Sequence, residues 1–183
     1  MLLSEWGFKP EVIEVNVDEM LPPGCDPYEG VGILAARKAL AGLKFWQESG
    51  GNEADVVIGA DTMVVLERQA LGKPKTPYEA ELMLESLSGR EHLVLTGLAL
   101  ARGDGETVVA VAETKVRFRP LSHDEIRVYV ESGEPLDKAG AYGIQGGARK
   151  FVESYHGSLS NVIGLPMELL SDKLKAWGID QTV

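Results

Sequence analysis

The apolar run at residues 54–66 constrains the fold of this chain most. Its first part, residues 54–60, is short and rich in branched side chains, which is typical of a buried strand. Asp61 and Thr62 interrupt the run before residues 63–66 resume it, so we expect a carboxylate and a hydroxyl at the end of a core strand. Such an aspartate can orient a water molecule, accept a proton or bind a divalent metal. The alternative is an ordinary capping role in a turn.

Helical patterns lie on both sides of this run. Apolar residues recur at helical spacing over 28–47, which predicts a helix. Thr76, Pro77 and Glu79 predict a second helix start, with Thr76 as the N-cap and Glu79 completing a capping box. Gly89 is expected to end that helix.

The second half of the chain continues the alternation. Residues 92–101 and 107–118 predict two strands joined by a tight turn, as in an antiparallel hairpin. Ser122 and Glu125 predict another capping box, and a last helix is expected to begin near Pro166. Strands and helices are therefore interspersed, and we expect an α/β protein whose central sheet is mixed by the hairpin.

Composition narrows the classes of partner. The 183 residues are enough for one domain, and the formal charge of −10 argues against a nucleic-acid polymer or an anionic membrane as partner. A small polyanion stays possible as a partner, because a few cations and a metal can act at short range.

Cys25 is the only cysteine, so no intramolecular disulfide can form. No apolar run approaches the ~18 residues of a membrane helix. We expect a cytoplasmic protein.

The stretch 137–147 is the most unusual part of the chain, with four glycines, a charge pair and an amide. A floppy surface loop is the simplest interpretation. Tyr142 and Ile144 argue against it, since they are poor choices for a solvated loop. The amide of Gln145 offers a donor and an acceptor for a base edge; one orientation matches uracil or thymine and the flipped one matches cytosine. The residues alone leave the base open.

Lys73 lies in the turn Gly72-Lys73-Pro74 and supplies a point charge that suits a phosphate. The spacing of a Walker loop is absent, so these residues do not predict that kind of phosphate cradle. A solvated turn lysine explains them equally well.

Several short motifs follow one another in a specific order. In chain order they are Asp61-Thr62, Leu71-Gly72-Lys73-Pro74, Leu87-Ser88-Gly89-Arg90 with His92, Thr96-Gly97, Glu113-Thr114, residues 137–146, and Gly157-Ser158 through Asn161-Val162-Ile163-Gly164-Leu165-Pro166. This order resembles that of the Maf family of nucleoside triphosphate pyrophosphatases. Val17-Asp18-Glu19 and Lys38-Ala39 extend the resemblance upstream, over nearly the whole chain.

The resemblance implies hydrolysis of a nucleoside triphosphate between its α and β phosphates, which yields the monophosphate and pyrophosphate. The form of residues 139–146 resembles the branch that acts on dTTP and UTP, whereas the branch that acts on methylated GTP has a different sequence there. Asp61 is similar to the catalytic proton acceptor, and Thr62 and Gln145 match specificity positions. The resemblance also implies a divalent cation, Mg or Mn.

Further polar positions of the family match Lys73, Lys38 and Glu19. Asp61 together with Glu19 would hold the metal. The fold implied is the ITPase-like Maf fold: an α/β protein with a mixed central sheet, flanking helices and two lobes around a cleft, commonly assembled as a homodimer.

One departure concerns the first residues. Members begin with a short strand and a Ser-x-Ser-Pro-Arg-Arg loop, whereas residues 2–8 resemble the helix and turn that follow that loop. We therefore expect residues 1–183 to form a single Maf-like domain that lacks this strand and loop. The alternative function is a catalytically weak nucleotide-binding regulator of cell division, since the family is also associated with inhibition of septum formation.

Overall fold

Helices and strands alternate along residues 2–179, the part of the chain that the computed structural model describes. The helices are α1 (Leu2–Glu5), α2 (Pro27–Glu48), α3 (Pro77–Leu87), α4 (His123–Glu131), α5 (Leu159–Ile163) and α6 (Met167–Ala176). The strands are β1 (Val56–Leu66), β2 (Gln69–Leu71), β3 (Glu91–Arg102), β4 (Thr107–Phe118) and β5 (Val152–His156). Short 3₁₀ turns span Glu134–Asp137, Ala139–Ala141 and Gly147–Phe151.

The five strands form one sheet in the order β2-β1-β3-β4-β5. Val64 of β1 pairs with Leu71 of β2, and Val116 of β4 pairs with Tyr155 of β5, both antiparallel. The predicted α/β class with flanking helices is confirmed. The sheet is antiparallel where we expected a mixed one. The direction of a strand depends on how segments distant in the chain pair, which local sequence patterns do not reveal.

Strand β1 corrects one prediction about Asp61. We expected the carboxylate at the end of a strand, but β1 continues without a break from Val56 to Leu66, with Asp61 in its middle. A strand pairs through its backbone, so a polar side chain does not end it where that side chain keeps some exposure to solvent. Asp61 and Thr62 are both partly exposed.

The predicted helix starts are largely confirmed. Thr76 caps α3 by accepting a hydrogen bond from the Glu79 N–H at 3.1 Å. The Glu79 side chain does not complete a capping box, because it accepts the Lys75 N–H at 2.7 Å instead of that of Thr76. In α4, Ser122 and Glu125 form the full capping box.

The described residues divide into two compact units. Unit 1 contains residues 2–61, 96–112 and 164–179, and unit 2 contains residues 62–95 and 113–163. In unit 1, Ala35 and Ala39 pack with Ala99 and Ala101, while Met167, Leu170 and Leu174 pack with Leu98 and Leu100. The core of unit 2 is built around Phe118, Phe151, Leu84, Leu87 and Tyr129. The single domain and the cleft between lobes stay predictions.

None of the helices within residues 2–179 has the length and apolar character needed to cross a bilayer.

Candidate active site

Two glycines bring α2 unusually close to the sheet. A Cβ on Gly59 of β1 would lie 2.4 Å from the carbonyl oxygen of Ala35, and a Cβ on Gly97 of β3 would lie 2.0 Å from that of Val31. These distances are far below van der Waals contact, so only glycine fits at either position. The close packing places the side chains of α2 beside β1.

Lys38 of α2 reaches Asp61 of β1 through this contact. Its Nζ donates to Asp61 Oδ1 at 2.5 Å and lies 3.6 Å from Glu19 Oε1. The side chains of Asp61 and Lys38 are 13% and 28% exposed, whereas that of Glu19 is 64% exposed. One ammonium group thus lies between two carboxylates. The solvent exposure of the side chains rises from Asp61 through Lys38 to Glu19. We name these three residues the unit 1 cluster.

Arg37 holds the segment that carries Glu19, although no sequence motif singled it out. Its Nη1 donates to the carbonyl oxygens of Asp18 and Met20, both at 2.7 Å. These two residues flank Glu19, so Arg37 holds the backbone on both sides of the carboxylate. In the sequence Arg37 resembled a polar spacer on an amphipathic helix; only its position next to Lys38 hinted at a role.

The unit 1 cluster has the chemistry to hold a divalent metal. Mg²⁺ prefers oxygen ligands and is usually bound through one or two carboxylates together with substrate phosphates. Asp61 and Glu19 supply such a pair on the same lysine. Residues 2–179 contain no group of three or more acidic, histidine or cysteine side chains arranged for a metal.

The turn that carries Lys73 is joined to the glycine-rich stretch in unit 2. The Gly140 N–H donates to the Gly72 carbonyl at 3.0 Å, and the Gly140 φ of +65° is one that favours glycine. The Lys138 ammonium donates to Asp137 at 2.8 Å and lowers the pKa of the Asp137 carboxyl, and the charge of Lys73 lowers it further. Exposed cations thus gather beside this loop.

Gln145 projects from a loop that is anchored on both sides. Ile144 and Tyr142 are buried, as their apolar character predicted, while Gln145 is exposed. The Tyr142 hydroxyl lies 2.8 Å from Nε2 of His92, a buried histidine of β3. The loop is therefore part of the packed structure of unit 2, and the floppy-loop interpretation is wrong.

Other matching motif residues of unit 2 hold the structure together. The Asn161 side-chain amide donates to the Val94 carbonyl at 3.0 Å and to Thr114 Oγ1 at 2.9 Å. Thr114 Oγ1 in turn donates to the Ser158 carbonyl at 3.1 Å. Asn161 and Thr114 are fully buried, so these hydrogen bonds stabilise the interior of unit 2.

Unit 1 contains a cavity of about 910 Å³, which is within the size range of ligand pockets. It is lined by residues 9–15, residues 55–60 and Lys38, among others. Of the predicted site residues, only Lys38 belongs to this lining. The cavity and the unit 1 cluster therefore share this lysine.

The structure thus gathers the predicted site residues into two groups. Asp61, Lys38 and Glu19 meet in unit 1, and Thr62 follows Asp61 directly in β1. Lys73 and Gln145 lie in unit 2, on the turn and the loop described above. That the two groups form one active site stays a prediction.

The comparison with known proteins decides the family. The model of the family described as Maf-like protein matches residues 1–177. The chain belongs to this family.

This Maf-like protein is 51% identical to a dTTP/UTP pyrophosphatase of Desulfitobacterium hafniense (strain Y51), over 98% of this chain and 81% of that protein. It is also 48% identical to a dTTP/UTP pyrophosphatase of Symbiobacterium thermophilum, over 97% of this chain and 88% of that protein. A Pelotomaculum thermopropionicum protein of the same name is 43% identical over 97% of this chain and 90% of its own length. The predicted membership of the Maf family is confirmed.

Proposed function

We propose that this chain hydrolyses dTTP and UTP to the nucleoside monophosphate and pyrophosphate, with Asp61 as the catalytic carboxylate. The observation that carries the proposal is the 2.5 Å contact between Lys38 Nζ and Asp61 Oδ1. It occurs in a Maf-like chain whose relatives at 43–51% identity are named dTTP/UTP pyrophosphatases.

Asp61 accepts the proton of the attacking water. Lys38 binds Oδ1 and so orients the carboxylate, and Oδ2 is the oxygen that takes the proton. The ammonium of Lys38 also offsets the negative charges of Asp61 and Glu19, which reduces their repulsion of a triphosphate.

Asp61 and Glu19 would hold a divalent ion, Mg or Mn. When bound, this ion neutralises charge on the phosphate oxygens and helps to align them for attack. The carboxylate pair and its fixation by Arg37 support this part of the proposal.

Base recognition falls to Thr62 and Gln145, and binding of the pyrophosphate end to Lys73. The exposed amide of Gln145 matches the acceptor and donor of a uracil or thymine edge in one of its two orientations. Lys73 is exposed and contributes a positive charge beside the same loop.

The experiment that tests the proposal measures pyrophosphate release from dTTP, UTP and a methylated GTP, with Mg or Mn, for the wild type and Asp61→Asn. General base catalysis typically contributes 10²–10⁴-fold, so we expect the variant to lose about that factor with dTTP and UTP. Asp104→Asn is the matched control, because this exposed aspartate lies in the turn between β3 and β4. Equal rates for the wild type and Asp61→Asn would disprove the role of Asp61.

The same assay, together with a measurement of UTP binding, distinguishes the enzyme from the alternative function. Binding of UTP without release of pyrophosphate in the wild type would favour a nucleotide-binding regulator of septum formation. Faster turnover of the methylated GTP than of UTP would place the chain in the other branch of the family.

The proposal also covers the setting of the enzyme: a single Maf-like domain, a homodimer, in the cytoplasm. The acidic charge of −10 and the single cysteine support a cytoplasmic enzyme of small nucleotides. Light scattering after size-exclusion chromatography tests the dimer, and a mass equal to one 19.8 kDa chain would contradict it.

A further inference from the structure

The loop that presents Gln145 is held at two points, one on each side of that residue. The Gly143 N–H donates to the Tyr129 hydroxyl at 3.2 Å, and the Gly147 N–H donates to Glu134 Oε2 at 2.9 Å. Tyr129 and Glu134 are themselves joined, because the Tyr129 hydroxyl donates to Glu134 Oε1 at 2.9 Å. A closed chain of hydrogen bonds therefore runs from Gly143 through both side chains to Gly147.

The loop also lies in direct contact with these two side chains. A Cβ on Gly146 would lie 2.0 Å from Glu134 Oε1, and a Cβ on Gly147 would lie 3.2 Å from the ring of Tyr129. A side chain at Gly146 would displace the carboxylate of Glu134 from this position. Gly146 and Gly147 thus allow the backbone to approach Glu134 and Tyr129 closely.

Tyr129 is a rigid support. It is 3% exposed on α4, and its ring packs edge-on against Phe151 at a centroid distance of 5.2 Å. Burial raises the pKa of the Tyr129 hydroxyl, and the neighbouring Glu134 raises it further, so the group remains a donor to the carboxylate. Ser132 ties the two residues together, since its hydroxyl donates to the Tyr129 carbonyl at 2.6 Å and accepts the Glu134 N–H at 3.3 Å.

We propose that Tyr129 and Glu134 are positioning residues for base recognition, which fix the backbone on both sides of Gln145 and thereby set the place of its amide. The inference rests on the proposed function. An amide alone does not distinguish uracil from cytosine, because it matches either base when it flips. Discrimination therefore requires a fixed amide position relative to the other groups that contact the base, and the two hydrogen bonds to the loop supply that constraint.

Glu134→Gln tests this with little change in shape. Glu134 accepts from two donors, one at each carboxylate oxygen, and glutamine has a single acceptor oxygen. Either Tyr129 or Gly147 then loses its acceptor. Tyr129→Phe removes the hydroxyl that joins Gly143 to the carboxylate. The measurements are kcat and KM for UTP and for CTP, with a thermal melt of each variant.

We expect both variants to raise KM for UTP and to lower the ratio of kcat/KM for UTP over CTP about ten-fold, while kcat for UTP changes less than three-fold. The double variant should resemble the stronger single one, because both act on one chain of hydrogen bonds. Glu131→Gln is the matched control for Glu134→Gln, because Glu131 is an exposed glutamate at the end of α4, the helix that carries Tyr129. Val130→Ala removes a buried side chain of α4 and should lower the melting temperature without changing the UTP/CTP ratio.

An unchanged UTP/CTP ratio in active Glu134→Gln and Tyr129→Phe proteins would overturn the inference and leave the proposed function intact. An equal fall of the ratio in Val130→Ala would also overturn it, since general destabilisation would then suffice. A wild type without turnover of UTP and dTTP would overturn the proposed function and this inference with it.

Discussion

Gly59 and Ala35 are in such close contact that a Cβ on the glycine would lie 2.4 Å from the alanine carbonyl oxygen. This contact sets the distance between α2 and β1, and thus the distance over which Lys38 must reach Asp61. The absence of a side chain at Gly59 therefore allows Lys38 and Asp61 to come into contact.

Gly59→Ala is expected to weaken both the fold and the cluster. Forcing an extra methyl group into a packed contact typically costs about 1–3 kcal/mol, so the free energy of unfolding in urea should fall by roughly that amount. The displaced helix should also lower pyrophosphate release, because Lys38 moves away from Asp61. Gly72→Ala is the control, since a Cβ there meets nothing within 4 Å. Equal stability of the two variants would contradict the close contact.

Arg37→Gln is expected to release the segment that carries Glu19. The guanidinium donates to the carbonyls of Asp18 and Met20, and a shorter neutral side chain cannot maintain both contacts. We expect the Mg²⁺ concentration for half-maximal turnover to rise about ten-fold, with a smaller effect on kcat at saturating metal. Arg127→Gln serves as the control, because Arg127 pairs with Asp124 on an exposed surface. A metal dependence identical to that of the wild type would refute this role.

His92 is expected to make the protein less stable at mildly acidic pH. Burial lowers the pKa of His92 from 6.5 to about 4, so the unfolded chain takes up a proton in this window while the folded chain does not. The free energy of unfolding should therefore fall as the pH drops from about 6.5 to about 4, by on the order of 3 kcal/mol in total. Above about pH 6.5 the imidazole is neutral in both the folded and the unfolded chain, so His92 adds no pH dependence to the free energy of unfolding there.

Urea unfolding of the wild type and His92→Gln over this pH range checks the prediction. Glutamine can still bond to the Tyr142 hydroxyl but does not titrate, so the variant should show a shallower loss of stability. Parallel pH profiles for the two proteins would show that His92 does not take up its proton on unfolding.

Arg68→Gly is expected to stabilise the turn between β1 and β2. Glu67 and Arg68 have φ values of 50° and 68°, in the left-handed region that two-residue hairpin turns require. This conformation costs an ordinary residue about 1–2 kcal/mol, whereas glycine loses about 0.5–1 kcal/mol in chain entropy. The difference predicts a gain of up to about 1.5 kcal/mol, measurable by urea unfolding.

Arg68 suits this substitution better than Glu67 does, because Glu67 forms an ion pair with Arg90. Glu67→Gly would lose that pair as well as the strain and should give a smaller gain. A loss of stability in Arg68→Gly would mean that the entropy of the glycine outweighs the relief of strain.

The features that the sequence predicted well depend on neighbours within a few residues. The cap at Thr76 and the capping box of Ser122 and Glu125 are local contacts, and both helices begin where these residues indicate. The antiparallel direction of the sheet depends instead on how distant segments pair. For the same reason a polar pair in an apolar run suggested a strand end, although β1 continues through Asp61.

In the candidate site, too, some residues could be selected from the sequence and others only from the structure. The resemblance selected Asp61, Lys38 and Glu19, which the structure brings together, while their roles stay predictions. Arg37, Tyr129 and Glu134 were not selected from the sequence. Each bonds to backbone groups 13 to 19 residues away in the chain, and any residue type could supply such groups.

The close packing of α2 also determines when the unit 1 cluster can exist during folding. Lys38 and Asp61 are 23 residues apart in the chain, and neither the helix nor the strand contains the cluster alone. A collapsed intermediate with native helices, in which α2 has not yet docked, would therefore lack the charge arrangement altogether. Turnover can therefore recover during refolding only after α2 has docked on β1, whereas helical circular dichroism does not require that contact.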